Sequence, residues 1–268
     1  MQMTAVISVE TLRKDSSLVV LDARPVEDYL AEHWPGAFHL PISRWEALAK
    51  TADGALQNFE PWEREIGSLG IGSDSRVVVY DDGRMTEAAR AWFILQWFGV
   101  DAVVLDGGWK HLQSLTKVEE QANHPHARTY RRPEGFVPVV GLVDRTALAR
   151  RLGSSIQILD ARTPAEYRGE DLRKNSRGGH LPNASLLPHA DLLGPDGTLK
   201  AVPELRELLE GAGIGHTAPV VTHCDGGGRA ALAALAAVAA GHRDVSAYYL
   251  SFSDWAADGS CPIEHSDQ

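Results

Sequence analysis

The chain states one pattern twice, and that duplication constrains its fold more than any single motif. In the first half Val19-Val20-Leu21-Asp22-Ala23-Arg24-Pro25 leads through Tyr29 to His33-Trp34-Pro35-Gly36-Ala37. In the second, Ile158-Leu159-Asp160-Ala161-Arg162-Thr163-Pro164 leads through Tyr167 to His180-Leu181-Pro182-Asn183-Ala184. The offset is 138 at the aspartates (160 − 22) and 147 at the histidines (180 − 33), so nine extra residues (147 − 138) lie between Tyr167 and His180. Further on, Arg76-Val77-Val78-Val79-Tyr80-Asp81-Asp82-Gly83 answers Pro219-Val220-Val221-Thr222-His223-Cys224-Asp225-Gly226. The offset there is 143 (224 − 81), which sets Asp81 where Cys224 stands. A chain of 268 residues has room for two domains of ordinary size.

Each copy alternates short β-branched runs with helical patterns, which points to an α/β fold around a mainly parallel sheet. Strands are expected over 18–21, 77–80 and 102–105 in the first copy, and over 156–159, 220–223 and 245–249 in the second. Helices are expected from Thr86 to Gly99, where a glycine suits a C-cap, and from Leu142 to Leu152 before Gly153. Residues 122–138 lack periodicity, carry prolines and a basic cluster, and read as a linker. The expected division is therefore 1–121, linker 122–138 and 139–268.

The stretch that carries chemistry runs from Val220 to Leu235. A buried-strand pattern stops at Cys224, passes Asp225, Gly226, Gly227 and Gly228, and becomes an alanine-rich helix at Arg229 and Ala230. Glycines let successive backbone N–H groups turn inward. The first turn of the helix adds unpaired donors and the positive end of its dipole, and the whole makes an anion cradle. A cysteine at such a mouth ionises readily, and the thiolate is the nucleophilic form. Asp225 opposes this, because a neighbouring carboxylate disfavours a thiolate, so its side chain is expected to point out of the ring. Arg229 is placed either to neutralise charge at the loop or to pair with an acidic residue of the fold.

Composition narrows the partners. A formal net charge of −10 argues against general binding to nucleic acid or anionic membranes, while leaving room for local basic pockets. Two cysteines, Cys224 and Cys261, make no disulfide framework, and Cys261 is read as incidental. The N-terminus has no basic stretch followed by an apolar core. The run from Ala230 to Ala240 is shorter than the roughly 20 residues of a bilayer span, so a cytoplasmic location is expected. No spaced Cys/His cluster accompanies His180 or His223; both are read as structural, and neither a metal nor a cofactor is expected.

Taken together, the paired Asp-Ala-Arg segments, the Tyr29 to Ala37 segment and the Cys224 loop resemble the tandem-domain rhodaneses, a family of sulfurtransferases. The resemblance covers nearly the whole chain in the expected order. It implies two rhodanese-like domains, each a mainly parallel sheet flanked by helices. The C-terminal domain would be catalytic and the N-terminal one silent, with Asp81 in place of a lost cysteine. It implies that Cys224 takes the sulfane sulfur of thiosulfate or 3-mercaptopyruvate as a persulfide and hands it to a thiol or cyanide acceptor. By the same resemblance Arg162 faces the anionic group of the small donor; Arg168 is a weaker candidate for that role, beside the loop residues Asp225, Gly226, Gly227, Gly228, Arg229 and Ala230. Trp34 stands where the family usually has an aliphatic residue, and Asn183 where it usually has glycine. The loop matches neither the basic pattern of thiosulfate enzymes nor the Gly-Ser-Gly pattern of mercaptopyruvate enzymes, which leaves the donor open.

Two further readings stand beside this one. Some phosphatases share the fold and place Cys before Arg across a longer loop; only four residues separate Cys224 from Arg229, a ring sized for a single sulfur atom. A non-catalytic sulfur carrier or partner-binding module is also compatible with a duplication that keeps one silent copy.

Overall fold

The β-branched runs become the inner strands of two five-stranded sheets. The computed structural model describes residues 5–113 and 122–265. These fall into two units, one spanning Met1–Pro138 with Asp196–Thr198, the other Val139–Pro195 with Leu199–Gln268. In the first unit the strands are β1 (Val6–Ile7), β2 (Val19–Asp22), β3 (Phe38–His39), β4 (Arg76–Tyr80) and β5 (Asp101–Leu105), in the order β1-β5-β4-β2-β3. The second repeats this with β6 (Gly141–Leu142), β7 (Gln157–Asp160), β8 (Ala184–Leu186), β9 (Val220–His223) and β10 (Val245–Ala247), in the order β6-β10-β9-β7-β8. Every ladder is parallel. The middle strands are covered on both faces: Val77 to Tyr80 and Val220 to His223 are all buried. Asp81 and Cys224 therefore leave the carboxyl ends of the two middle strands, where open parallel sheets place their ligands.

Four edge strands, β1, β3, β6 and β8, are only two or three residues long and leave no periodicity to read. The strand expected over 245–249 ends at Ala247, because Tyr248 turns to donate its N–H to Thr222 O and to accept the Ser251 hydroxyl. The helix expected from Leu142 begins at Arg145 instead. Leu142 belongs to β6, and Asp144 caps the helix Arg145–Arg151 by accepting from Ala147 N. The helix expected from Thr86 runs Thr86–Trp97.

The repeated motifs prove to be repeated contacts. Tyr29 stacks on His33 at 4.0 Å and donates to Ala37 O, and Tyr167 stacks on His180 at 3.8 Å and donates to Ala184 O. The nine extra residues bulge outward without disturbing this pair. Gly36 and Asn183 hold the same turn at φ +78° and +58°. Asparagine tolerates the left-handed region better than most side chains, which accounts for its presence there. Trp34 packs against the core of the first unit and donates its N–H to Tyr80 Oη.

Residues 122–138 lie along the first unit. Arg128 N donates to Gly67 O and its guanidinium pairs with Asp74; Arg131 pairs with Glu63; Arg132 donates to Trp97 O over the Phe59 ring. The basic cluster is thus engaged with that unit's own groups. Among the described residues no helix is long and apolar enough to cross a membrane.

Candidate active site

β9 delivers Cys224 into a tight turn that becomes the helix Gly228–Ala240. The cysteine is 1% exposed, and its Sγ accepts the Gly227 N–H at 3.0 Å. Gly227 sits at φ +101°, and a Cβ there would lie 2.8 Å from Tyr249 O and 3.0 Å from the Tyr249 ring, so the turn requires glycine on both counts. Gly226 and Gly228 complete the turn between strand and helix.

The Asp81 loop shows that this architecture can hold an anion. The Asp81 carboxylate accepts from the N–H groups of Gly83 (2.9 Å), Met85 (3.0 Å), Glu87 (3.1 Å) and Ala88 (3.1 Å), so the first unit carries a built-in anion in its cradle. Burial pushes the Asp81 carboxyl up, against the pull of those amides. The first bonds of the two helices, Ala89 N to Met85 O and Ala231 N to Gly227 O, stand 142 residues apart (231 − 89), one fewer than Cys224 and Asp81. The Cys224 loop is therefore one residue shorter. In the helical register Arg229 and Ala230 match Glu87 and Ala88, and as first-turn residues their N–H groups have no partner within the helix.

Ser251 stands against the shorter loop. It is fully buried at φ +60°, accepts the Cys224 N–H at 3.1 Å, donates to Tyr248 O at 2.8 Å, and brings its Oγ to 3.7 Å from Sγ. Its counterpart in the first unit is Gly108 (251 − 108 = 143), where a Cβ would lie 2.6 Å from Asp81 O. A buried non-glycine residue in the left-handed region stores about 1–3 kcal/mol of strain, a feature concentrated at functional sites.

Of the two readings of Arg229, the structure realises the pairing. Its guanidinium grips Glu166 with bonds of 2.6 and 2.8 Å, and Glu166 also accepts from Thr163 N and Oγ1, closing a capping box on the helix Pro164–Arg168. Burial opposes the Arg229 charge, but the Glu166 bonds and the charges of Cys224 and Asp225 outweigh it and raise its pKa. Glu166 mirrors this: burial opposes its charge, yet Arg229 and Thr163 hold its carboxyl down at about 2. An unfolded glutamate takes its proton near 4.5. The stability contributed by the ionised carboxylate is therefore present above about pH 4.5 and is lost as the pH falls toward 2, by up to about 3 kcal/mol. Urea midpoints measured across that window should fall more steeply for the wild type than for Glu166→Gln.

Asp225 is turned toward the extra residues, where Asn175 Nδ2 donates to its Oδ1 at 2.7 Å, while its carbonyl accepts from Ser253 N. Arg162 is turned inward. It is 1% exposed, its Nε and Nη2 are engaged by Asp160 and Gly179 O, and its Cζ lies 3.9 Å from the centroid of the Phe252 ring. The physical reason is Asp160, wholly buried two residues earlier and in need of a counter-charge. Arg168 is exposed at the end of its helix and chelated by Glu170 at 2.7 and 2.9 Å.

His223 is buried with Nδ1 at 3.3 Å from Cys224 O, and burial pushes its pKa down, so it stays neutral. Cys261 packs among Tyr248, Phe252 and Trp255, and burial pushes its thiol up. The structure thus gathers Cys224, Asp225, the three glycines, Arg229 and Ala230 at one place, with Arg162 committed to Asp160 and Arg168 to Glu170. Ser251, Glu166 and Asn175 were not anticipated as site residues. Of these only Glu166 had a local signal, the Thr163-x-x-Glu166 capping pattern.

Fold and loop define a duplicated parallel α/β protein in which one of two sister cradles presents a cysteine. The rhodanese-like domain model matches residues 7–115 and again 144–258, and the chain belongs to the rhodanese family. It is 30% identical over 254 residues to the 3-mercaptopyruvate sulfurtransferase of Escherichia coli K12, covering 91% of this chain and 87% of that protein. It is also 30% identical over 244 residues to the thiosulfate sulfurtransferase of Gallus gallus, covering 87% and 81%. The crystal structure of SseA from Escherichia coli, described as a 3-mercaptopyruvate sulfotransferase, superposes with a TM-score of 0.76 at 27% identity, covering 93% of this chain and 99% of that one. The anaerobic ergothioneine biosynthesis enzyme from Chlorobium limicola shares the fold at 19% identity, with a TM-score of 0.83 over all of this chain and 71% of that one.

Proposed function

We propose that this chain is a sulfurtransferase that carries one sulfur atom as a persulfide on Cys224, taken from thiosulfate or 3-mercaptopyruvate. The observation that carries the reading is the Cys224 Sγ held by Gly227 N at 3.0 Å, in a ring whose sister loop holds a carboxylate with four N–H bonds. The Cys224 thiolate attacks the outer sulfur of the donor. With thiosulfate the S–S bond breaks and its electron pair leaves with sulfite; with 3-mercaptopyruvate the C–S bond breaks and the departing enolate takes a proton to become pyruvate. The outer sulfur of the persulfide is anionic, and the amides of Gly227, Arg229 and Ala230 stand ready to receive that charge without reorganising. A thiolate or cyanide then attacks the outer sulfur and returns Cys224 as thiolate. Ser251 Oγ fixes the nucleophile by accepting the Cys224 backbone N–H, and the Glu166–Arg229 pair fixes the helix start.

The test is a side-by-side assay with each donor and cyanide, reading thiocyanate, with intact mass to find one added sulfur atom on Cys224. Turnover with at least one donor, through that adduct, is expected. An adduct without turnover would favour a carrier, and hydrolysis of an aryl phosphate that depends on Cys224 would favour a phosphatase; either result overturns the proposal.

A further inference from the structure

The segment with nine extra residues between Tyr167 and His180 meets the residue next to the nucleophile through Asn175, which donates from Nδ2 to Asp225 Oδ1 at 2.7 Å. Asn175 is aimed by the frame on either side of it. Upstream, Asp171 accepts the N–H of Arg173, which sits at φ +54°, and Asn175 N donates to Leu172 O at 2.9 Å. Downstream, Arg177 spreads its guanidinium over the carbonyls of Trp255, Ala256, Asp258 and Cys261. The first three of those carbonyls belong to the end of the helix Ser251–Ala257 and its cap, and the Oγ of the helix's first residue lies against both N and Sγ of Cys224. Contacts thus run in a closed circuit from Cys224 to Asp225, Asn175, Arg177, the Ser251 helix and back.

Asp225 is the residue next to the nucleophile, and its charge is a hazard there. A carboxylate free to rotate among its staggered rotamers would approach the sulfur in some of them and disfavour the thiolate and the anionic persulfide alike. Other titratable groups bearing on this corner include Arg229 from the helix Gly228–Ala240, Glu166 from the helix Pro164–Arg168, His223 at the end of β9, and His189, which feels Arg229. Arg229 is committed to Glu166 with two bonds, whereas an amide donor can hold the Asp225 carboxylate in one orientation.

We propose that Asn175 is a positioning residue, one that fixes the Asp225 carboxylate outside the ring, away from the Cys224 thiolate and from the anionic sulfur it would carry. The persulfide half of this statement rests on the sulfurtransferase reading; the thiol half does not. The experiment therefore follows the pH dependence of iodoacetamide alkylation at Cys224 in the full chain, with peptide mapping to separate Cys261. Asn175→Ala should raise the alkylation midpoint by about one pH unit. Asn175→Ser, too short to keep the bond, should do the same and serves if the alanine variant folds poorly. Adding Asp225→Asn to either should return the midpoint to that of the wild type, since no charge is left to misplace. A purely structural role would instead slow alkylation equally at every pH and would not be rescued. An unmoved midpoint in both single variants, or a shift that survives Asp225→Asn, overturns the proposal. If the shift and rescue appear but no donor supports thiocyanate formation, the sulfurtransferase reading fails and the positioning role stands.

Discussion

Cys224→Ala is expected to abolish sulfur transfer, lowering kcat/KM by at least about 10³-fold, because no other group in the ring can form a covalent sulfur adduct. The loop should survive the change. Cys224 is held at its backbone by Ser251 Oγ on its N–H and by Phe252 N on its carbonyl, and neither contact needs the sulfur. Removing one sulfur atom from a site 1% exposed leaves a small void, worth about 1 kcal/mol. Cys261 offers no substitute, since it is packed in the apolar cluster with Trp255 and its thiol is pushed up by burial. The measurements are thiocyanate release with either donor and the thermal midpoint of the purified variant. A residual rate within about tenfold of the wild type, on protein shown by mass to lack the cysteine, would mean that sulfur moves by another route.

The duplication made most of this fold legible. Strands β2, β4, β5, β7 and β9 coincide with the β-branched runs to within a residue or so, because a strand buried on both faces needs that composition. The matching of Asp81 to Cys224 also proved physically apt, since both sit at the mouth of the same amide ring. The edge strands were illegible because two residues carry no period. Other features were hidden because they are pairings between distant residues. Glu166 meets Arg229 across 63 positions, Asn175 meets Asp225 across 50, and Ser251 meets Cys224 across 27. No local pattern announces such contacts. The one-residue shortening of the second loop was equally invisible, because glycine-rich segments align at either offset and only the first helical hydrogen bonds fix the register. The Asp160–Arg162 pair was hidden for a different reason: burial decides whether a strand-end aspartate and the arginine two residues later claim each other, and no local pattern shows that burial.

That buried pair carries the largest stability effect. Asp160→Ala is expected to cost about 3–5 kcal/mol, the range for breaking a buried ion pair by removing one partner. Asp160 is 0% exposed and accepts from Arg162 at its N (3.0 Å), Nε (3.0 Å) and Nη2 (2.6 Å). It also lies 3.5 Å from His223 Nε2, in the place where Asp22 of the first unit accepts the Tyr80 hydroxyl (80 + 143 = 223). Without Asp160 the guanidinium keeps only Gly179 O and the Phe252 face, too little to hold a desolvated charge. The urea midpoint should drop accordingly, while Asp160→Leu combined with Arg162→Met should recover most of the loss, because both charges are then gone and the volume is kept. The double variant also decides what Arg162 is for. If it serves only as the partner of Asp160, the folded double variant should keep its KM for thiosulfate. A KM raised tenfold or more in protein of restored stability would show instead that the arginine leaves its partner to meet the donor.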